Sequence, residues 1–178
     1  MSRRKNFSWL PVVWLLGVAG CLVTSGQILV TAELGDFTVT TTAVQDLDVD
    51  LNEISDYSDN KERLADLADI AILGEVTNTG TTDIDVVAYM TRHLTSFTTA
   101  SEVLGLGLPI WGPFRVAAGA TVRVDWDTSS ALIGSNKSVL IEEIKGDGAF
   151  TVYILGAAGT YSFTVNDGQF VAILDAEL

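Results

Sequence analysis

The sequence predicts an all-β chain: an antiparallel sandwich with one or two short peripheral helices, preceded by an N-terminal signal or anchor segment. Three observations carry this. Apolar residues alternate with Thr or Asp through most of the chain, the pattern of strands with one buried and one solvated face. Turn residues recur between those runs, at Asn78-Thr79-Gly80, Ala117-Ala118-Gly119, Gly146-Asp147-Gly148, Gly156 to Gly159 and Asn166-Asp167-Gly168, as expected of short strands joined into a sandwich. The 178 residues hold three Pro, and no repeat is evident, so the length fits one core.

Taken in order, residues 1–20 read as a leader, 21–35 as a lipidated Cys and tether, and 36–178 as the β-domain. Strands are expected at Phe37 to Thr42, Asp46 to Leu51, Ile70 to Thr77, Ile84 to Thr91, Thr121 to Trp126, Ala149 to Leu155, Tyr161 to Val165 and Gln169 to Leu174. Two segments break the alternation. Asp59 to Asp69 places Leu64, Leu67 and Ala68 at helical spacing behind Asp59 as a cap, and Ser135 to Lys145 does the same with Val139, Leu140 and Ile144. Both are expected as short helices covering sandwich edges.

The leader begins with Arg3, Arg4 and Lys5, and Trp9 to Val18 is an apolar stretch of secretory length. Val18-Ala19-Gly20-Cys21 follows, and Cys21 is the only Cys in the chain. This resembles the lipobox of bacterial lipoproteins. The resemblance implies cleavage before Cys21, acylation of its thiol, and, since Leu22 rather than Asp follows it, sorting to the outer membrane or cell surface. Two alternatives stay open: Trp9 to Val30 as one uncleaved span of about 20 residues, and cleavage after Ala32 to release the body. A single Cys allows no internal disulfide, so the fold rests on its core.

Ile72-Leu73-Gly74-Glu75-Val76-Thr77-Asn78-Thr79-Gly80, with Ile84 to Tyr89 after it, resembles a hairpin of immunoglobulin-like sandwiches in secreted bacterial proteins and type-2 late-embryogenesis-abundant proteins. Phe114 to Val122 is similar to their strand, small-residue turn and strand unit. The resemblance implies an immunoglobulin-like sandwich and says little of function.

Ten Lys and Arg stand against 23 Asp and Glu. Without Arg3, Arg4 and Lys5 the body carries 7 − 23 = −16, which repels nucleic acid and excludes it as a partner. His93 is the only imidazole, Thr91-Arg92-His93-Leu94 carries no nucleophile signature and no G-x-S-x-G is present, so nothing points to a hydrolytic triad; His93 reads as a surface residue at a strand end. Paired carboxylates could serve a glycosidase, but nothing singles out a pair. Asp46, Asp48 and Asp50 alternate with Leu47, Val49 and Leu51 and read as the wet face of a strand. Leu51 stands where an EF-hand loop needs Gly, so calcium has as its candidate ligands only Asp56 and Asp59, in a loop. No other cofactor is expected.

Val103 to Phe114 alternates Leu104, Leu106, Leu108 and Ile110 with Gly and Pro. It is expected as an edge strand or an exposed apolar loop, with Leu106, Leu108, Trp111 and Phe114 as candidate partner contacts. Trp126 is expected in the core. Together these features predict an exported, lipid-anchored, non-enzymatic binding or assembly module at the cell envelope, held to the membrane by its lipid and partnered by an envelope or surface protein or by its own copies. The alternatives are a subunit of a surface layer or filament and an envelope hydrolase acting on carbohydrate.

Overall fold

The computed structural model describes residues 26–157 and 159–177; the leader and Cys21 lie outside them. Strands β1 (Gln27–Thr40), β2 (Asp46–Asp50), β3 (Leu64–Asn78), β4 (Ile84–Arg92), β5 (Leu108–Val116), β6 (Thr121–Val124), β7 (Ala149–Gly156) and β8 (Ser162–Ala176) are interspersed with helices α1 (Ser55–Ser58), α2 (Ala100–Leu106), α3 (Trp126–Ser130) and α4 (Lys137–Lys145). The strands form two antiparallel sheets, ordered β1-β8-β3-β6 and β2-β7-β4-β5. The chain is therefore the antiparallel sandwich with short peripheral helices that the alternation predicts.

The connectivity refines that class. The first strand pairs with the last, the second with the seventh, the third with the sixth and the fourth with the fifth. Such a chain is one long antiparallel ribbon rolled up on itself, the jelly roll. Consequently the two units that resemble immunoglobulin hairpins are not hairpins here. Strands β3 and β4 lie in different sheets, as do β5 and β6, so Asn78-Thr79-Gly80 and Ala117-Ala118-Gly119 are corners between layers. Asn78 is fully buried and joins the two corners: its Nδ2 donates to the carbonyls of Thr82 and Val116, and its Oδ1 accepts from the amide of Gly80.

Between the sheets, Val30, Ile70, Val76, Phe163 and Phe170 face Val49, Val86, Met90, Phe150 and Val152. Phe150 and Phe170 meet edge to face across the layers, with centroids 5.5 Å apart. Leu140 and Ile144 of α4 close the barrel-like end together with Leu51 and Tyr57, and α4 falls where the Val139, Leu140, Ile144 spacing predicts it.

Four sequence expectations are corrected. Asp59 to Asp69 is not a helix: α1 and a 3-10 turn over Lys61–Arg63 precede β3, which begins at Leu64. Its pairing with β8 shifts between Leu64 and Asp66 and again between Leu67 and Asp69. Asp66 and Asp69 each accept from the next residue's amide at these shifts. The two bulges turn a period of two into a period of three, so Leu67 and Ile70 both point inward and imitate a helical stripe. Asn166-Asp167-Gly168 is a bulge and not a turn, inside one continuous β8, with Asp167 at φ 51°. The domain starts before residue 36, because Gln27 to Glu33 pair with Asp175 to Gln169. Lastly, Trp111 is buried in β5. Its neighbour Gly112, at φ 97°, lies where a Cβ would stand 2.5 Å from the Val86 carbonyl, which packs this edge strand tightly on β4.

Candidate functional site

The two sheets differ on their outer faces. Residues 94–107 lie over the β2-β7-β4-β5 sheet, where Phe97, Ala100 and Val103 pack on Tyr89, Tyr153 and Leu155. Phe97 stacks on Tyr153 at 5.3 Å, and the Tyr153 hydroxyl donates to the Thr95 carbonyl at 2.6 Å. A Thr99–Glu102 capping box starts α2 and holds this cover. Strand β7 is thereby buried on both faces. On the other sheet the five-residue α3 is the helix most closely packed on β3 among the described residues, with lesser contacts from α4 to β3 and from α1 to β1.

Beside α3 the open sheet has a cleft of about 290 Å³, lined by Leu73, Gly74 and Glu75 of β3, Arg123 and Val124 of β6, Asp125 and Trp126 at the start of α3, and Asp167 and Gln169 of β8. Local backbone chemistry shapes it. Gly74 has φ 146°, and a Cβ there would stand 3.1 Å from the Asn166 carbonyl, so the two bulged strands approach closely only because position 74 lacks a side chain. Asp167, in the left-handed region, donates its amide to the Asp36 carboxylate at 2.8 Å. Asp125 ends the alternation of β6 and caps α3 by accepting from the Thr128 amide at 2.9 Å; the bonds from Thr128 hold its carboxyl below the ordinary carboxylate range.

That cap decides where Trp126 goes. The residue is the first of a helix and not the last of a strand, and it is partly exposed at the cleft instead of lying in the core. Among the described residues its indole nitrogen has no protein acceptor, whereas Trp111 Nε1 donates to both the carbonyl and the hydroxyl of Ser129. Glu75 and Arg123 face each other across β3 and β6. Gln169 Nε2 donates to Glu33 at 3.1 Å, which leaves its carbonyl oxygen free to accept.

A second polar cluster ties the loops at one end of the sandwich. His93, at φ 65° just past β4, holds Asp147 Oδ2 at 2.8 Å. Arg92 contacts Glu142 at 2.9 Å and the buried Glu143 at 3.4 Å. Lys61 donates to the carbonyl of Asp147 and the side chain of Asn52. The Ala149 amide, and after it His93, lower the Asp147 carboxyl below its usual range. His93, Glu143 and Asp147 bring ligand-type atoms within 4.8 Å of one another, but the guanidinium of Arg92 sits against Glu143 and His93 occupies Asp147. The cluster is a set of ion pairs and hydrogen bonds joining β4 and α4 to the loop before β7, and the sequence marks only His93 as a surface residue and Asp147 as part of a turn.

The sequence-derived site residues are dispersed. Asp56 lies in α1 and Asp59 ends it, both exposed. Asp46, Asp48 and Asp50 accept from Ser96, Thr151 and Asn52 along a strand whose Leu47 and Val49 are buried, as the alternation predicts. Of the expected contact residues, Leu106 is 69% exposed and Trp111 only 3%; Leu108 and Phe114 are partly buried. Leu106 joins Leu94 and Leu104 as an exposed large apolar residue, while Trp111 belongs to the core. Cys21 lies outside the described residues.

No family model matches the chain, and no curated protein matches it. Among solved structures, a chain in the structure of a marine algae virus of the order Picornavirales is similar over 99% of this chain and 80% of that one, with 14% identity and a TM-score of 0.34.

Proposed function

We propose that this chain is an exported, membrane-anchored module of the cell envelope that binds a ligand without transforming it. The cleft beside Trp126 carries the reading: it is an open, polar recess with an accessible aromatic side chain, set on paired strands of a rigid sheet. Such a site positions a ligand with little movement of the scaffold.

Several features favour holding over turnover. A glycosidase needs one carboxyl raised to act as an acid, whereas Asp125 at the cleft is held downward by its hydrogen bonds from Thr128. Glu143, the buried carboxylate among the described residues, is paired with Arg92. Anchoring through Cys21 also suits the fold. Release after Ala32 would remove the part of β1 that pairs with residues 170–175, and a span from Trp9 to Val30 would take Gln27 to Val30 out of the sheet; cleavage before Cys21 leaves β1 whole. Among the described residues no helix is long and apolar enough to cross a membrane. Filament assembly through β1, an edge strand of 14 residues, is discouraged by the register shifts at Gly35, because bulges twist an edge away from lateral partners.

Two measurements test the proposal. Mass spectrometry of the membrane-extracted protein is expected to find an acylated Cys21 and no peptide from residues 1–20; an intact leader refutes the anchoring. Titration with neutral oligosaccharides and, separately, with oligolysine is expected to show saturable binding of one probe that Trp126→Ala weakens. If neither binds, the binding function is refuted.

A further inference from the structure

We infer that the ligand of the Trp126 cleft is a neutral saccharide, a conclusion that rests on the binding function proposed above and gives it a chemical class. The cleft, at about 290 Å³, is at the small end of ligand sites, which run from roughly 300 Å³ upward, and it opens to solvent. It has room for a short piece of sugar chain that continues outside.

Three properties of its lining select the class. First, the Trp126 indole is partly exposed and lines the cleft: among the described residues no aromatic ring or cation is stacked on it, and its nitrogen has no protein acceptor. A pyranose matches this pairing, because its C–H face packs on an aromatic ring while its rim carries hydroxyls. Second, the polar groups around the ring are mixed. Glu75 and Asp167 are exposed carboxylates that accept, Arg123 is a guanidinium that donates, and the Gln169 carbonyl accepts. Hydroxyls both donate and accept, so a polyol can satisfy all of them. An ammonium ligand would leave Arg123 and the indole N–H facing a group that accepts nothing. Third, three carboxylates against one guanidinium repel a phosphate or uronate, and an apolar ligand would strip water from carboxylates without replacing it.

The test uses the full chain in a detergent without a sugar headgroup, titrated calorimetrically with neutral gluco-, manno-, galacto- and N-acetylated chito-oligosaccharides, and with oligolysine at matched ionic strength. At least one saccharide should bind saturably. Trp126→Ala should weaken it on the order of tenfold or more, as removal of a central aromatic anchor does. Trp126→Phe, which keeps the ring face, should lose less, and Asp167→Asn should weaken binding while circular dichroism stays unchanged. Oligolysine binding without saccharide binding overturns the saccharide assignment and leaves the binding function standing. Saccharide binding that is indifferent to Trp126→Ala overturns the site. Binding of neither probe overturns both.

Discussion

The hydroxyl of Ser129 lies 2.9 Å from Nε1 of Trp111 and accepts its hydrogen bond. The same oxygen accepts the amide of Ile72 at 2.7 Å, so one fully buried side chain on α3 joins edge strand β5 of one sheet to strand β3 of the other. This contact places Trp111 in the core and seats α3 beside the cleft, with Trp126 at its exposed end.

The two tryptophans should therefore respond oppositely to truncation. Trp111→Ala is expected to cost about 3–5 kcal/mol by removing a buried aromatic. Ser129→Ala should cost about 1–3 kcal/mol by stranding the buried Ile72 amide and leaving Trp111 Nε1 only the Ser129 carbonyl as acceptor. Trp126→Ala should cost less than about 1 kcal/mol, as for a partly exposed site without partners. Urea denaturation orders the three; a larger loss for Trp126→Ala than for Trp111→Ala would contradict the packing described.

Asn78→Ala should destabilise by about 1–3 kcal/mol, since it removes three bonds holding both inter-sheet corners. Asn78→Asp should do no better, because it exchanges a buried donor for a charge. Thr79→Ala, on the exposed neighbour, is the control, and equal melting temperatures for Asn78→Ala and Thr79→Ala would refute the corner role.

Stability should fall at both pH extremes. Asp83, held low by the Ala118 amide and then Arg115, and Asp147, held low by the Ala149 amide and then His93, bind protons more weakly folded than unfolded. Their contribution is complete above the ordinary value near 4 and is lost as pH drops through the lowered values. Tyr57, raised to about 12 by burial and then by the charges of Asp147 and Asp50, contributes fully below its ordinary value near 10 and loses that contribution as pH rises toward 12. Denaturation across pH 2 to 12 should show both limbs. Tyr57→Phe should flatten the alkaline one, leaving the part due to Tyr89 and Tyr161, which burial also raises. An unchanged alkaline limb would assign it elsewhere.

Calcium titrated at fixed ionic strength should give no saturable stabilisation through Asp56 and Asp59, which stand exposed on and after a single helical turn. With an excess of acids in the body, raising ionic strength with a monovalent salt should stabilise it by screening. Saturable calcium stabilisation that vanishes in Asp56→Asn with Asp59→Asn would establish a site there.

The legible and illegible parts of the sequence divide by the range of the forces involved. Strand β2 and helix α4 follow from local periodicity, because one side of each meets a core and the other does not. Strands β4 and β7 are legible instead as apolar, β-branched and aromatic runs bounded by turn residues. Strand β3 carries a helix-like spacing over Leu64 to Ala68 because bulges at Asp66 and Asp69 change its period, and β8 reads as two strands because turn chemistry at Asp167 and Gly168 serves a bulge beside Gly35. For the cleft, Gly74 and the cap residue Asp125 were visible as letters. Their meaning depends on strands β8 and β3 meeting, residues nearly a hundred positions apart.

Alternation, turn residues and composition by themselves determined that this chain is an antiparallel sandwich with a strongly acidic body, since burial on one face demands a period of two and little else. Which strands pair, and hence the jelly-roll order, was decided by the tertiary structure, because antiparallel pairing is nearly indifferent to sequence separation once faces are matched. The same holds for the two tryptophans. Trp111 sits in a short apolar run and Trp126 continues an alternating one; the cap at Asp125 turns Trp126 into a helix at the cleft, and only the roll of the sheets brings the hydroxyl of Ser129 against Trp111 and holds it inward.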